Sequence, residues 1–292
     1  MKTIHIILPT HNRISQLKLF LECLKSQNFH SYHLILCDDG STDGSAEYVL
    51  DQFKTATILQ GRGTWWFAGA VHAGYKWIKS NNVEKDEFVL IINDDTQFDK
   101  NFLSTGINYL SDRPRTLIQA QTRLQQGGDF VDTGMHVHWK TFMIKMATSE
   151  SDINCLSTCG LFLRVSDLLE IGGFHPFILP HYWSDYEFTI RAHTKNFTLQ
   201  TTPQLQLFVN AETTSNISFD NMLFPEFIKK YFSKRNLSNP LYYISLFILA
   251  APMPWKLIHI SRAIRTALLT PFRFFIKTYL FHGIKKNRVD YE

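Results

Sequence analysis

Four apolar runs constrain this chain more than any other feature: TIHIILPT (residues 3–10), YHLILCDD (32–39), ATILQG (56–61) and EFVLIIND (87–94). Such continuous runs suit strands buried on both faces, where no side is left for alternating polar residues. Between them lie helical patterns: RISQLKLFLECLKSQ with Leu17, Phe20, Leu21 and Leu24 at helical spacing, then AEYVLDQF, then WWFAGAVHAGYKWIKS. Strand alternating with helix predicts an α/β fold, a Rossmann-like, mostly parallel sheet with helices on both faces. Ligands of such sheets gather beyond the carboxyl ends of the strands. The polar residues gather there too, as Thr10 and Asn12, then Asp38 and Asp39, then Asn93, Asp94 and Asp95.

Residues 115–160 read less regularly. TLIQAQTRL, FVDTGMHVHW and TFMIKMAT alternate enough to predict short antiparallel strands, STCGLFLRVSDLLEIGGF a strand, a helix and a glycine turn, and HYWSDYEFTIRAHTKN a helix with acids in its first turn. With 292 residues, 45% of them apolar, and 24 Phe, 11 Tyr and 6 Trp, the chain can bury a full core and leaves no long segment to disorder. The expected organisation is a body over residues 1–220 and a basic, aromatic, helical extension over 221–292. Charge divides in a similar way: residues 1–225 carry 18 Lys and Arg against 23 Asp and Glu, residues 226–292 carry 12 against 3. The four cysteines form no C-x-x-C pair, which predicts a reduced, cytosolic setting. The first apolar run is too short for a signal peptide and reads as a strand.

The run VLIINDDTQFD drives Val89 to Ile92 into a core and ends in adjacent acids. Two such carboxylates repel and are costly to desolvate, so a positive group is expected beside them. A hard divalent cation, Mg²⁺ or Mn²⁺, takes oxygen ligands and bridges the phosphates of a nucleotide; Asp95 is the better direct ligand, and Asp94 touches a ribose or orients the site. In CDDGSTDGS a carboxylate at the strand end can accept from a base N–H or a ribose hydroxyl, while Ser41 or Asp43 serves equally as a helix cap. In PHYWSDYEFTIRA, Asp185 and Glu187 are both candidates for a general base toward a hydroxyl, and His181 is a weaker candidate for contact to donor or acceptor or a packing or loop residue; the same segment also reads as a surface helix with Trp183 and Phe188 turned inward.

Together these motifs resemble family 2 glycosyltransferases of the GT-A fold, and within them a bacterial rhamnosyltransferase-like group that builds cell-surface polysaccharide. The similarity spans roughly residues 4–215, and the ordered combination is specific where each motif alone is weak. The resemblance implies that Pro9, Thr10, Asn12 and Arg13 lie near the nucleotide, and that Asp38 and Asp39 belong to a nucleotide-binding turn, with Asp39 on the N3–H of uracil or thymine. It implies that Gly61 and Gly63 of GRGTWWFAG approach the diphosphate, that Asp95 holds the metal, and that Asp185 is the base of an inverting reaction. Two departures stand out. Ser184 replaces the acid that often precedes the base, and Asn210 stands where a metal-ligating His is common. His136 and His138 lie on one strand face and are not expected at the metal.

The resemblance therefore implies transfer of a sugar from a UDP- or dTDP-sugar to a glycan or lipid-linked saccharide acceptor. A nucleotidyltransferase is the rival enzyme, although it would favour a glycine-rich loop after the first strand, where this chain has PTHNR. A non-catalytic nucleotide-sugar or glycan-binding subunit is the rival of another class, kept open by Ser184 and Asn210.

In the extension, stepping 100° per residue gathers Lys256, His259, Arg262, Arg265, Arg273 and Lys277 on one half of a helix, with Leu257, Ile258, Ile264, Leu268, Phe275 and Ile276 mostly elsewhere and Pro271 bending or restarting it. This pattern suits an anionic membrane surface, on the cytoplasmic face of the inner membrane; docking on the body or a homo-oligomer through these helices are the other readings. Nucleic acid is not expected, because the body is acidic and the tail is interleaved with large apolar residues.

Overall fold

The computed structural model describes residues 2–126, 128–210, 219 and 222–281. Internal contacts separate two units, one formed by residues 1–180 with 184–213 and the other by 181–183 with 214–292. The boundary expected between residues 220 and 221 lies outside the described residues.

In the first unit the four predicted runs form β1 (Ile4–Thr10), β2 (Tyr32–Asp38), β3 (Thr57–Gln60) and β4 (Phe88–Ile91). The sheet continues through β5 (Thr96–Gln97), β6 (Thr116–Leu124), β7 (Phe130–Asp132), β10 (Leu161–Arg164) and β11 (Thr198–Val209), while β8 (Met135–His138) pairs with β9 (Met143–Met146) apart from it. Its order is β3-β2-β1-β4-β10-β6-β11-β5, with β7 on β6. Strands β1 to β4 are parallel, as β6 and β11 are to each other, whereas β10 runs antiparallel between β4 and β6. The register sets Thr10 opposite Asp38 and Asp38 opposite Gln60, so the carboxyl ends of the first strands meet at one edge.

Both sheet faces are covered. Ile4, Ile6 and Leu8 of β1 pack with Leu17, Phe20 and Leu24 of α1 (Ile14–Lys25), whereas Ile7 packs with Val71 and Ile78 of α3 (Trp66–Ser80). A Cβ on Gly74 would lie 2.6 Å from Ile7 Cγ2, so the absence of a side chain is what lets α3 approach β1 so closely. Between them come α2 (Ser45–Gln52), then α4 (Phe102–Ser111), α5 (Val165–Ile171) and α6 (Ser184–Thr194).

Two local expectations change. FVDTGMHVHW is not one strand: Gly134 takes φ +92° and splits it into β7 and β8. Helix α6 starts at Ser184 rather than His181, because Trp183 at φ +68° breaks the helical path.

The second unit holds α7 (Phe224–Tyr231), α8 (Pro240–Ala250) and α9 (Met253–Phe275). The Asn239 side chain caps α8 by accepting from Leu241 N at 3.0 Å. Phe227 stacks on Phe274 at 4.0 Å, and Phe247 on His259 at 5.0 Å. His259 is therefore a buried packing residue and not part of the charged face; Pro271 lies inside α9 without ending it. Among the described residues no helix is long and apolar enough to cross a membrane.

Candidate active site

The site begins where β1 ends. The Thr10 hydroxyl donates to Asp94 Oδ2 at 2.6 Å, and Arg13, in the turn before α1, reaches Asp94 Oδ1 at 3.0 Å and Asp95 Oδ2 at 2.8 Å. The positive group expected beside the paired acids is thus supplied by the chain itself. Asp94 is buried, and burial pushes its carboxyl up to about 6 against the opposing pull of Arg13 and Thr10. Pro9 lies within β1 opposite Cys37. Asn12, at φ +51°, accepts from Thr42 N through its side-chain oxygen at 2.8 Å and donates its own N–H to Ser41 Oγ at 2.9 Å, tying the first loop to the second.

That second loop is organised by its acids. Asp38 is buried and accepts from Ser41 N at 2.8 Å, with Oδ2 left unpartnered. Asp43 accepts from Ile14 N at 2.9 Å and from the Ser45 hydroxyl at 2.7 Å, serving the starts of α1 and α2 together. Asp39 differs from expectation in its partners: Oδ1 accepts from Thr64 N at 3.0 Å and Oδ2 from Trp66 N at 2.9 Å. Its carboxylate holds the glycine loop at the start of α3, so a base N–H would have to share an oxygen already engaged. The loop lies close, since a Cβ on Gly61 would meet Asp39 Oδ1 at 2.6 Å, and one on Gly40 would sit 2.9 Å from Gly63 N.

A further carboxylate enters from α6. Asp185 Oδ1 accepts from Tyr186 N at 2.9 Å, and the side chain is closely surrounded by protein while keeping a solvent-facing edge. Burial, with a smaller push from Asp132, lifts its carboxyl to about 6. Glu187 is a different case: it is buried and gripped by Arg191 through Nε at 2.8 Å and Nη2 at 3.0 Å, which leaves it committed to an ion pair. His181 belongs to the second unit, where burial and the Arg235 charge push it down to about 4.

Cys159 stands just before β10. Burial raises its thiol, and Asp95, Asp132 and Asp185 all raise it further. Acids from the end of β4, the end of β7 and the start of α6 therefore lie within electrostatic reach of one thiol. Asp132 carries no motif in the sequence; only its place before Gly134 in VDTG marks it.

Asn210 follows β11, whose Val209 pairs with Thr96, and with Asp95, Ser15, Gln97 and Gln125 it lines one cavity. A carboxylate and an amide oxygen match the oxygen preference of a hard divalent ion, with Asp95 Oδ1 accepting no hydrogen bond from a described residue. Among the described residues no three His, Cys, Asp or Glu side chains converge on a metal position. His136 and His138 are used locally, on Asp152 O at 2.7 Å and Thr141 Oγ1 at 2.8 Å.

The sequence profile of glycosyl transferase family 2 matches residues 5–171. TarS of S. aureus in complex with UDP-GlcNAc is similar over 92% of this chain and 73% of its own, with TM-score 0.56 and 17% identity. The mannosyltransferase PcManGT from Pyrobaculum calidifontis, in complex with GDP-Man and Mn²⁺, is similar over 97% of this chain and 83% of its own, with TM-score 0.55 and 14% identity. GalNAc-T7 with UDP, GalNAc and Mn²⁺ covers 98% of this chain with 58% of its own, at TM-score 0.61 and 10% identity. No curated protein matches. At these identities the likeness establishes a shared fold, the GT-A arrangement, and nothing finer.

Proposed function

The chain belongs to glycosyl transferase family 2, and on that premise we propose that it moves a sugar, with inversion, from a UDP- or dTDP-sugar to a hydroxyl of a cell-surface polysaccharide or lipid-linked saccharide. The observation that carries this reading is the acid cluster at the carboxyl end of β1, where Thr10 and Arg13 hold Asp94 and Asp95 through contacts of 2.6, 3.0 and 2.8 Å. Glu187 is locked to Arg191, which favours Asp185 as the base.

In the proposed step Asp185 accepts the proton of the acceptor hydroxyl as its oxygen attacks the anomeric carbon. The bond from that carbon to the diphosphate oxygen breaks as the new bond forms on the opposite face. A base whose carboxyl sits near 6 is largely ionised at neutral pH yet more basic than an exposed aspartate. Asp95 and Asn210 would hold Mg²⁺ or Mn²⁺, which when bound supplies charge stabilisation to the departing diphosphate. Thr10, Asn12, Arg13, Asp38 and Asp39 shape the nucleotide side, with Arg13 fixing Asp94 and Asp95 relative to one another. Gly61 and Gly63 give the diphosphate close backbone access.

Asp185→Asn should abolish turnover while UDP- or dTDP-sugar binding, followed by calorimetry with Mg²⁺ or Mn²⁺, stays within about twofold of wild type. Unchanged turnover would remove Asp185 from the base role. Release of pyrophosphate instead of a nucleoside diphosphate would favour the nucleotidyltransferase reading.

The acceptor class is supported by α9, which exposes Leu257 at 70% and Leu268 at 68% beside exposed Arg262, Arg265 and Arg273. The proposed setting is peripheral, on the cytoplasmic face of the inner membrane, where a lipid-linked acceptor is presented.

A further inference from the structure

The chain running from β3 into α3 bends at two left-handed residues, Gly63 at φ +76° and Trp66 at φ +56°. Glycine takes that conformation freely, whereas a bulky side chain is strained in it and keeps it only where its surroundings fix it. What fixes Trp66 is its own N–H, which donates to Asp39 Oδ2 at 2.9 Å, while Thr64 N donates to Oδ1 at 3.0 Å. Each oxygen of a buried carboxylate is thus engaged by one backbone group of the loop.

The clamp has a fixed base and a close fit. Asp39 N donates to Thr10 O at 3.0 Å, at the edge where β1 and β2 end, and Gly61 N donates to Asp38 O at 2.7 Å. Side chains are missing at both points of closest approach: a Cβ on Gly40 would stand 2.9 Å from Gly63 N, and one on Gly61 would stand 2.6 Å from Asp39 Oδ1. Between these ties Arg62 and Gly63 are exposed, and their N–H groups make no hydrogen bond to a described residue.

A carboxylate held in this way is poorly placed to read a base. The N3–H of uracil or thymine would have to displace a loop N–H or crowd beside it, and displacement would release the strained Trp66. We propose that Asp39 is a positioning residue for the diphosphate: it holds residues 61–66 in the shape that meets the phosphates and takes no part in choosing the base. The proposal rests on the reading above in which the glycine loop approaches the diphosphate of a nucleotide-sugar. Asp39 acts through the backbone of Arg62 and Gly63, whose N–H groups it leaves free to donate to phosphate oxygens.

The test measures affinities of UDP, CDP and UMP, and of dTDP, dCDP and dTMP as the deoxy set, by calorimetry with Mg²⁺ on the full chain. The ratio of UDP to CDP affinity reports on the base, because cytosine has no N3–H, and the ratio of UDP to UMP reports on the second phosphate. Asparagine keeps the shape of Asp39 but turns one acceptor into a donor facing a loop N–H. Asp39→Asn should lower the UDP-to-UMP ratio about tenfold or more and leave the UDP-to-CDP ratio within about twofold of wild type. Gly40→Ala, which presses on Gly63 and leaves the carboxylate chemically intact, should shift the same ratio in the same direction. A UDP-to-CDP ratio that collapses in Asp39→Asn would make Asp39 a base reader and overturn the proposal, with the transfer reading intact. Ratios that stay at their wild-type values, whether or not all affinities and the melting temperature fall together, would leave Asp39 a structural role and overturn it too. Wild-type protein that binds none of these nucleotides, or binds UDP and dTDP no better than UMP and dTMP, would remove the diphosphate site on which both readings depend.

Discussion

A guanidinium offers parallel N–H donors in a fixed plane, and Arg13 uses them to span two carboxylates instead of gripping one. Removing it leaves Asp94 buried beside Asp95 with only Thr10 for support. Breaking a fully buried pair costs about 3–5 kcal/mol, but the Arg13 side chain is 35% exposed, so Arg13→Gln should cost about 1–3 kcal/mol near pH 8. The sign with pH follows from Asp94, whose folded carboxyl stands at about 6, above its ordinary 3.8. Its contribution to stability is present in full below about 4 and is lost as pH rises through 6. Without Arg13 that carboxyl moves higher still. Thermal melts should therefore show the gap between variant and wild type widening above pH 6 and closing toward pH 4; a gap independent of pH would separate Arg13 from the charge on Asp94. Asp185 gives a second prediction of opposite sense for activity. Because the base must be ionised, kcat/KM of the wild-type protein should rise with pH through about 6 instead of about 4, and a profile without that limb would remove Asp185 from the base role.

Helix α3 reaches β1 through Gly74, and two physical effects compete there. Alanine would favour the helix by about 1 kcal/mol on propensity, but its Cβ would stand 2.6 Å from Ile7 Cγ2 in a packed layer, a strain of about 1–3 kcal/mol. The clash should prevail, so Gly74→Ala should lower the midpoint of thermal unfolding by several degrees; a rise would mean that α3 can shift along the sheet without cost. The elements around this helix were readable in sequence because β1, β2 and β4 are buried on both faces, which leaves an apolar run ending in polar residues at a strand edge. The antiparallel course of β10 was not readable, since LFLR carries the same apolar signal in either direction and its pairing is set by β4 and β6. The strand expected across FVDTGMHVHW concealed the turn at Gly134 for a similar reason: alternation continues through it while the backbone does not. Among site residues, Asp94, Asp95 and Asp185 stood out as acids at element ends. Asp132 did not, because its surroundings come from Gln119, Ser157 and Asp185, distant in sequence and joined only by the fold.

Over the whole molecule, positive charge and much of the exposed apolar surface lie in the same segment. The body is net negative and the chain beyond residue 225 strongly positive, an imbalance that packing does not require. Helix α9 divides its surface three ways. His259 and Ala263 are buried; Met253, Leu257, Ile264, Leu268 and Phe275 are exposed and fall within about 60° of arc at 100° per residue; Arg262, Arg265 and Arg273 follow on the next part of the circumference. Phe272 at the edge of this stripe is also exposed. Apolar side chains entering the acyl boundary beside arginines at anionic headgroups would use both faces at once. Each basic residue near such a surface contributes about 1 kcal/mol, so replacing Arg262, Arg265 and Arg273 together with Glu should weaken sedimentation with vesicles containing phosphatidylglycerol by about 100-fold or more, with added salt mimicking part of the loss. Leu257→Ser with Leu268→Ser should weaken binding without changing the salt dependence, because it removes buried area and not charge. Wild-type protein that ignores these vesicles and instead self-associates, with the Leu257/Leu268 pair of changes restoring a monomer, would assign the stripe to a second copy of the chain and detach the lipid-linked acceptor from its structural support.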